Sequence, residues 1–379
     1  MTLSAQDHSA MAEALCLAER GLNTTAPNPR VGCVIVRDGE VVGRGWHVRA
    51  GEPHAEVFAL REAGERAHGA TAYVTLEPCA HTGRTPPCAD ALIAAGLSRV
   101  VIAVADSNPL VAGQGAQRLR AAGIAVDVGL MEAPARTLNA GFLRRISGGL
   151  PWLRMKTASS LDGRTAMASG ESQWITGDAV RADVQCWRAR SSAIITGIAS
   201  VLADDSRLSV RLPDTERQPL RVVLDSQLRL SPQAKMLKEP GATLVLTRAD
   251  SLSTGGQRLQ LLQRAGAEVK AVATNNHGRL CPRAVMRELA QRQCNDVLLE
   301  AGATLNAAFL QAGLVDEWLL YQAPTLLGAS ARPLVDWSLA QMAQQQRWQL
   351  QDCRQIGDDM RMTLIPIATA TAHLVKLGE

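Results

Sequence analysis

Apolar residues recur at helical spacing over 7–21, DHSAMAEALCLAERG, where Met11, Leu15 and Ala18, continued by Leu22, share a face and Gly21 offers a stop. The pattern then changes period. VGCVIVRDGEVVGRGWH (31–47) reads as two β-rich runs about an Asp38-Gly39 turn, the pattern of a hairpin. HAEVFALREAGERA (54–67) predicts a helix, TAYVTLEP (71–78) a strand, CADALIAAGLS (88–98) a helix and RVVIAVAD (99–106) a buried strand. AQRLRAAG and IAVDVGL repeat the alternation, so the first third of the chain is expected to be an α/β layer with parallel strands.

After the helical pattern APARTLNAGFLRR (133–145), the stretch ISGGLPWL (146–153) combines two glycines with a proline. A boundary is expected near Gly149, giving domains 1–149 and 150–379. Strands are predicted at WLRMKTAS, SAIIT, LRVVLDS, ATLVLT, AEVKAVA, DVLLE and EWLLYQA, with an antiparallel pair at 348–367. Polar and proline-rich stretches at 211–219 and 249–256 read as loops.

The totals narrow the class. A length of 379 residues suits two domains. With 46% hydrophobic and 20% charged residues and no apolar run of membrane-spanning length, a globular protein is expected. The opening MTLSAQDHSAMAEA lacks a basic flank before an apolar core, so the expected compartment is the cytoplasm. Eight scattered cysteines without a secretory signal argue for thiolate ligands or packed thiols over disulfides. Cys16 and Cys33 fall in apolar periodic segments, as core residues do, and His8 and His68 at solvated helical positions.

His54 stands just before a helical run, Cys79 just after a strand, and Cys88 at the start of a helix. A helix N-terminus favours the thiolate form. One imidazole and two thiolates make a zinc set whose fourth tetrahedral position stays open to water, the arrangement of catalytic sites. Glu56 follows His54 by two positions, which on a regular helix point ~200° apart, so both binding one metal is disfavoured. With His54 in an irregular first turn, Glu56 instead becomes the proton shuttle, general base and then general acid. His81 would close a structural Cys₂His₂ site, but such a site has no use for Glu56.

This H-A-E…P-C…C constellation resembles the zinc-dependent cytidine-deaminase superfamily. Eight residues separate the cysteines where two are commoner. The words NPRVGCVIV, GEPHAE, TLEPCAHTGRTPPC, DSNPLVAG and NAGFLRR resemble the bifunctional riboflavin-biosynthesis deaminase–reductase family, which acts on a phosphoribosylamino-pyrimidine. The resemblance implies a cytidine-deaminase-like three-layer domain in which Asn28, His47 and Arg84 hold the pyrimidine and its phosphate.

No G-x-G-x-x-G follows a strand; GQGAQR (113–118) lacks the last glycine. The local chemistry of the second half shows only an anion site at DVLLEAGATLNAAFL, where a strand ends at Glu300, Gly302 permits close approach and a helix begins. The words KTASSLDGRTAMASGESQWITG, GIASVLADDSRLSVR, LRVVLDS and LLEAGATL resemble the reductase half of the same family, which implies a dihydrofolate-reductase-like fold and NADPH. By that resemblance Ala158, Trp174, Ser200, Asp204, Ser226 and the run Gly302, Ala303, Thr304, Leu305, Asn306, Ala307 and Ala308 line the cofactor site. Ser172, Arg188, Leu208, Arg211 and Glu300 hold the substrate, Arg188 and Arg211 as phosphate partners. Lys156 and Asp204 are expected near the hydride path; Lys156 would favour the open-chain sugar and Asp204 orient a proton donor. A turn is the favoured reading of Asp162-Gly163, and Trp174 stands evenly between packed aromatic and cofactor contact.

The expected activity is zinc-dependent deamination of 2,5-diamino-6-(5-phosphoribosylamino)pyrimidin-4-one, followed by NADPH-dependent reduction of its ribosyl group. A polynucleotide deaminase would need basic, aromatic-bearing surfaces; with 3% aromatic residues and net charge +4, no nucleic-acid or membrane partner is expected. The oligomeric state stays open, a homo-oligomer included.

Overall fold

A computed structural model describes residues 3–80, 87–107 and 112–367. The chain divides into two compact units, Met1–Leu150 and Pro151–Glu379. The first carries α1 (Ala5–Glu19), β1 (Gly32–Arg37), β2 (Glu40–Trp46), α2 (Ala55–Ala63), β3 (Thr71–Val74), α3 (Cys88–Ala94), β4 (Arg99–Ile102), α4 (Gln114–Ala121), β5 (Ala125–Val128), α5 (Glu132–Leu138) and α6 (Ala140–Gly148).

Its five strands form one sheet in the order β2-β1-β3-β4-β5. Only part of it is parallel. β1 runs antiparallel to both β2 and β3, because a tight hairpin reverses the chain, whereas β3, β4 and β5, joined through helices, run parallel. Ser4 caps α1 in a reciprocal box with Asp7. α2 lies directly on the hairpin: a Cβ added at Gly45 would meet the Ala55 carbonyl oxygen at 2.1 Å, and one at Gly43 would meet that of Ala59 at 2.2 Å. Only glycines allow the helix that begins after His54 to sit so close to β2.

Two expectations for this unit change. The helix pattern over 133–145 is interrupted at Asn139, whose side chain accepts from the Arg30 N–H and donates to the Arg30 carbonyl, both at 2.8 Å. A side chain bridging to another segment takes the place of continued helix. Cys16 is exposed on α1, contrary to the core position expected, while Cys33 is fully buried on β1.

The second unit carries β6 (Trp152–Ser159), β7 (Arg164–Ala166), α7 (Asp178–Arg190), β8 (Ala193–Gly197), α8 (Ile198–Asp204), β9 (Leu220–Leu224), β10 (Thr243–Thr247), α9 (Ala249–Thr254) and α10 (Gly256–Arg264). There follow β11 (Ala267–Ala271), α11 (Pro282–Gln291), β12 (Asp296–Leu299), α12 (Ala303–Gln311), β13 (Glu317–Gln322), β14 (Arg332–Pro333), β15 (Trp348–Ile356) and β16 (Asp359–Pro366). A nine-stranded sheet has the order β11-β10-β9-β8-β12-β6-β13-β16-β15, with β7 and β14 paired apart from it. From β11 to β13 all neighbours are parallel; β16 and β15 add an antiparallel edge, as the 348–367 pattern predicts.

Strands such as Thr243–Thr247 are buried throughout, in keeping with helices covering a parallel sheet. The segment 249–256 is not a loop. It holds α9 and the start of α10, because the Ser253 and Thr254 hydroxyls bond back to the Asp250 carbonyl within a polar helical turn. Asp162-Gly163 is a turn, with Gly163 at φ +70° and the Asp162 carboxylate accepting the N–H groups of Leu327 and Gly328.

Candidate active sites

In the first unit three donor atoms converge. His54 is the N-cap of α2, in extended conformation, and so points away from the regular helical phase of Glu56. Cys79 follows β3, and Cys88 is the first residue of α3. His54 Nδ1 lies 3.2 Å from Cys88 Sγ and 3.7 Å from Cys79 Sγ, and the three ligand atoms fall within 4.8 Å of one another. A tetrahedral zinc with bonds of ~2.3 Å to sulfur and ~2.0 Å to nitrogen requires N···S separations of roughly 3.5 Å. The residues therefore fit the ion.

Without a cation the two cysteines share one proton, Cys88 being pushed far up as it donates to Cys79 while Cys79 is pushed down. The Cys79 thiol is pushed down to about 4, first by the Cys88 thiol as a donor and then by His54 and the Cys88 N–H, the last 3.3 Å from its sulfur. The Cys79 hydrogen bond raises the His54 imidazole. Glu56 is buried, its Oε2 has no hydrogen-bond partner, and burial raises its carboxyl against the opposing pull of His54. A buried, uncommitted carboxylate oxygen costs free energy unless something polar meets it.

His47 stands beside His54 with ring centroids 5.4 Å apart. Burial lowers its pKa, favouring the neutral ring, with Nδ1–H donating to the Pro53 carbonyl at 3.1 Å and Nε2 accepting from the Asn28 amide at 3.1 Å. Asn28 and His47 thus come together near the donor triad. Arg84 and His81 lie outside the described residues.

Sequence reasoning overlooked the groups that hold these segments. Asn139 pins the 28–31 stretch through Arg30, and the buried Glu77 anchors the chain just before Cys79. The motif NAGFLRR contains the first and TLEPC the second, but neither word states a partner.

In the second unit the predicted residues gather along the carboxyl edge of the parallel strands, where open α/β sheets bind ligands. Register pairs Leu299 with Met155, so the next residues, Glu300 and Lys156, are neighbours on one face. Arg188, from α7, closes on Glu300 through two bonds, Nε–Oε1 at 2.6 Å and Nη2–Oε2 at 2.8 Å. Burial lowers the Lys156 pKa, with Arg188 acting the same way and Glu300 opposing. Glu300 stays below the usual carboxylate range because Arg188, with Lys156 and Arg211, outweighs its burial.

Arg211 is lowered first by burial and then by the like charges of Arg188 and Arg207. No carboxylate is paired with its guanidinium among the described residues. Three cations thus surround one carboxylate. Leu208 is buried, with φ +50°, just before this group.

The cofactor candidates spread along the same edge. Ala158 on β6 pairs with Tyr321, and Ser200 on α8 faces Gly302, where an added Cβ would sit 3.9 Å from its hydroxyl. Gly302 caps α12, whose first turns hold Ala303, Thr304, Leu305, Asn306, Ala307 and Ala308; the Thr304 hydroxyl reaches Asp336 and Asn306 donates to the Ala301 carbonyl. Ser226 follows β9, its carbonyl accepting from Ser251 at 2.7 Å. Ser172 is half-buried.

Trp174 is 68% exposed, so it is not a packed core aromatic. It lies in a groove of about 370 Å³ shared with Thr176, Ala323 and Pro324, the Arg181 guanidinium 4.3 Å above its ring. Asp204 departs from the rest. It ends α8 exposed to solvent, and the charges that face Lys156 are Glu300 and Arg188.

A cysteine–imidazole triad with a buried acid on one α/β unit, and a cationic cluster at the sheet edge of a second, fit a two-headed enzyme, part metal-dependent deaminase and part reductase. Residues 4–104 match the family model described as the cytidine and deoxycytidylate deaminase zinc-binding region, and residues 151–362 match the RibD C-terminal domain. The chain is 50% identical to riboflavin biosynthesis protein RibD of Escherichia coli, over 95% of this chain and 99% of that one, and 46% identical to that of Haemophilus influenzae, over 97% and 99%. The structure of RibD from Acinetobacter baumannii superposes with a TM-score of 0.89 at 52% identity, covering 96% of this chain and 99% of that one. A diaminohydroxyphosphoribosylaminopyrimidine deaminase/5-amino-6-(5-phosphoribosylamino)uracil reductase from Thermotoga maritima gives 0.84 at 30% identity, with the same coverage. The chain belongs to the RibD family, the bifunctional deaminase–reductases of riboflavin biosynthesis.

Proposed function

We propose that the first unit deaminates 2,5-diamino-6-(5-phosphoribosylamino)pyrimidin-4-one and that the second reduces the ribosyl group of the product to ribityl. The cofactors are zinc and NADPH. The observation that carries this reading is the uncommitted Oε2 of Glu56 beside the His54, Cys79 and Cys88 donors. Zinc, when bound by these three residues, supplies a Lewis acid that makes water nucleophilic near neutral pH.

Glu56 takes up the proton that water loses and returns it to the departing ammonia, and its burial raises its carboxyl's hold on that proton. Asn28 and His47 orient the pyrimidine, the neutral His47 fixed by Pro53. Arg84 serves the substrate phosphate.

NADPH supplies hydride. In the second unit, the crevice from Trp174 and Ala158 through Ser200 and Gly302–Ala308 to Ser226 takes the cofactor. Three cations around Glu300 leave a positive excess that a phosphate ester balances, and Arg211 is the arginine not already committed to a carboxylate. Arg188 mainly orients Glu300. Lys156, with its pKa lowered by burial, favours the open-chain form of the sugar. Asp204, exposed at the end of α8, orients a proton donor from the solvent side.

The substrate is a small molecule, and no helix among the described residues is long and apolar enough to cross a membrane. We further read the enzyme as cytoplasmic, without a nucleic-acid partner and able to form a homo-oligomer. The test is a two-step assay with the diamino-pyrimidine ribotide, following ammonia release and NADPH absorbance in one sample. Removing zinc with a chelator should stop ammonia release while preformed deaminated ribotide is still reduced. Full deamination by metal-free protein would overturn the reading.

A further inference from the structure

We infer that Glu77 and helix α4 form a brace that sets the position of the Cys79 donor, so that Glu77 is a positioning residue for the metal site. The inference rests on reading His54, Cys79 and Cys88 as the ligand set. Glu77 is 7% exposed, and its carboxylate accepts three backbone N–H groups. Oε2 receives Asp106 at 2.9 Å and Gly113 at 3.0 Å; Oε1 receives Ala116 at 3.0 Å. One side chain thus ties the end of the β4 segment and the first turn of α4 to the peptide two residues before Cys79. Charge-assisted bonds to amides at a helix N-terminus are the strong kind.

The contact continues past Glu77. A Cβ added at Gly115 would lie 2.0 Å from the Pro78 carbonyl oxygen, so the α4 backbone rests directly on the residue preceding Cys79. Arg118, one turn further along α4, donates to the Ala80 carbonyl at 3.2 Å, just after Cys79. The same guanidinium pairs with Asp90 at 2.6 Å, and Asp90 lies in the first turn of α3, whose first residue is Cys88. Helix α4 therefore touches both neighbours of one thiolate and the helix that presents the other. A further bond closes the group: the Ala89 N–H donates to the Cys79 carbonyl at 3.2 Å. Groups that orient metal ligands typically change affinity or activity ~10- to 100-fold when altered.

Glu77→Gln in the full chain turns one acceptor oxygen into a donor amide facing N–H groups. The probe is Co²⁺, its affinity measured by competition with a chelator and its visible spectrum recorded. The expected result is an affinity ~10- to 100-fold lower, with shifted thiolate-to-metal and ligand-field bands, while reduction of preformed deaminated ribotide is unchanged. Arg118→Ala, at an exposed side chain that folding tolerates, should shift the bands in the same direction with a smaller loss, and it decides the matter alone if Glu77→Gln does not fold. A lower unfolding midpoint with wild-type cobalt affinity and spectrum would mean that Glu77 serves stability only, and would overturn the inference. If wild-type protein showed no thiolate-to-cobalt band, or if His54→Ala left cobalt binding intact, the ligand assignment itself would fail.

Discussion

Replacing Glu56 by Gln preserves volume at a buried position and removes the group to which proton transfer is assigned. Glu56 is 3% exposed, and its Oε2 has no protein partner, so the substitution breaks no ion pair. The nearby groups that act on its charge are His54, Cys79 and Cys88, all on the ligand side. General acid–base catalysis contributes ~10²- to 10⁴-fold, or about 2.7–5.4 kcal/mol at 1.36 kcal/mol per tenfold. Because one carboxylate both accepts and returns the proton, the upper half of that range is expected. Ammonia release should fall ~10³-fold or more, while zinc content stays stoichiometric and NADPH oxidation with preformed deaminated ribotide is unchanged. Three measurements on one preparation decide it: ammonia, metal content and NADPH absorbance. Loss of zinc with activity would make Glu56 a ligand, and ammonia release within tenfold of wild type would remove it from proton transfer.

Lys156→Ala should reduce NADPH oxidation ~10²-fold or more and leave ammonia release intact; a parallel loss of both activities would contradict separate sites. Burial holds the Lys156 pKa below its usual 10.5, so between the folded value and 10.5 the unfolded chain binds more protons and stability rises with pH; Lys156→Ala should flatten that rise in urea titrations across pH. Glu300→Ala leaves Arg188 and Lys156 facing each other without their carboxylate and should destabilise the second unit by about 3–5 kcal/mol, read as a lower urea midpoint at unchanged m. Asp7 is held well below its usual 3.8: burial would raise it, but bonds from Ser4, Tyr73 and Arg99 outweigh that. Its stabilisation is complete above 3.8 and lost as pH falls below it, so Asp7→Asn should weaken the protein at neutral pH and shrink its acid sensitivity, measured by unfolding between pH 2 and 7.

The strands of the second unit were legible because parallel strands buried on both faces read as unbroken apolar runs: TLVLT and DVLL stand out without any partner being known. Pairing was less legible. Alternation of strands and helices suggests parallel order, yet β1 is antiparallel to both neighbours, since a hairpin turn determines direction locally and leaves open which strand lies on its other side. Segment 249–256 shows the opposite failure. Its serines and threonine look like loop residues, but the Ser253 and Thr254 hydroxyls bond within one helical turn, and Ser251 reaches the Ser226 carbonyl, on an exposed surface where no apolar stripe is required.

The His54, Cys79 and Cys88 triad that could hold a metal was visible because metal ligation restricts residue types to a few, and those types stood at element ends. The charged cluster of the second unit was not. Lys156, Arg188, Arg211 and Glu300 lie up to 144 positions apart, and no local period relates them. What joins them is register: Leu299 opposite Met155 sets Glu300 beside Lys156, and α7 then lays Arg188 across both. The same register pairs Arg188, expected to hold phosphate, with Glu300 in this structure. A guanidinium bound twice to Glu300 has spent its fork on a carboxylate, which leaves Arg211, repelled by Arg188 and Arg207, as the charge that gains most from an arriving anion. A ligand phosphate at Arg211 would lower that repulsion without breaking the Arg188–Glu300 pair, so the proposed roles of binding and orientation would fall to two different arginines that sequence alone treats as equivalent.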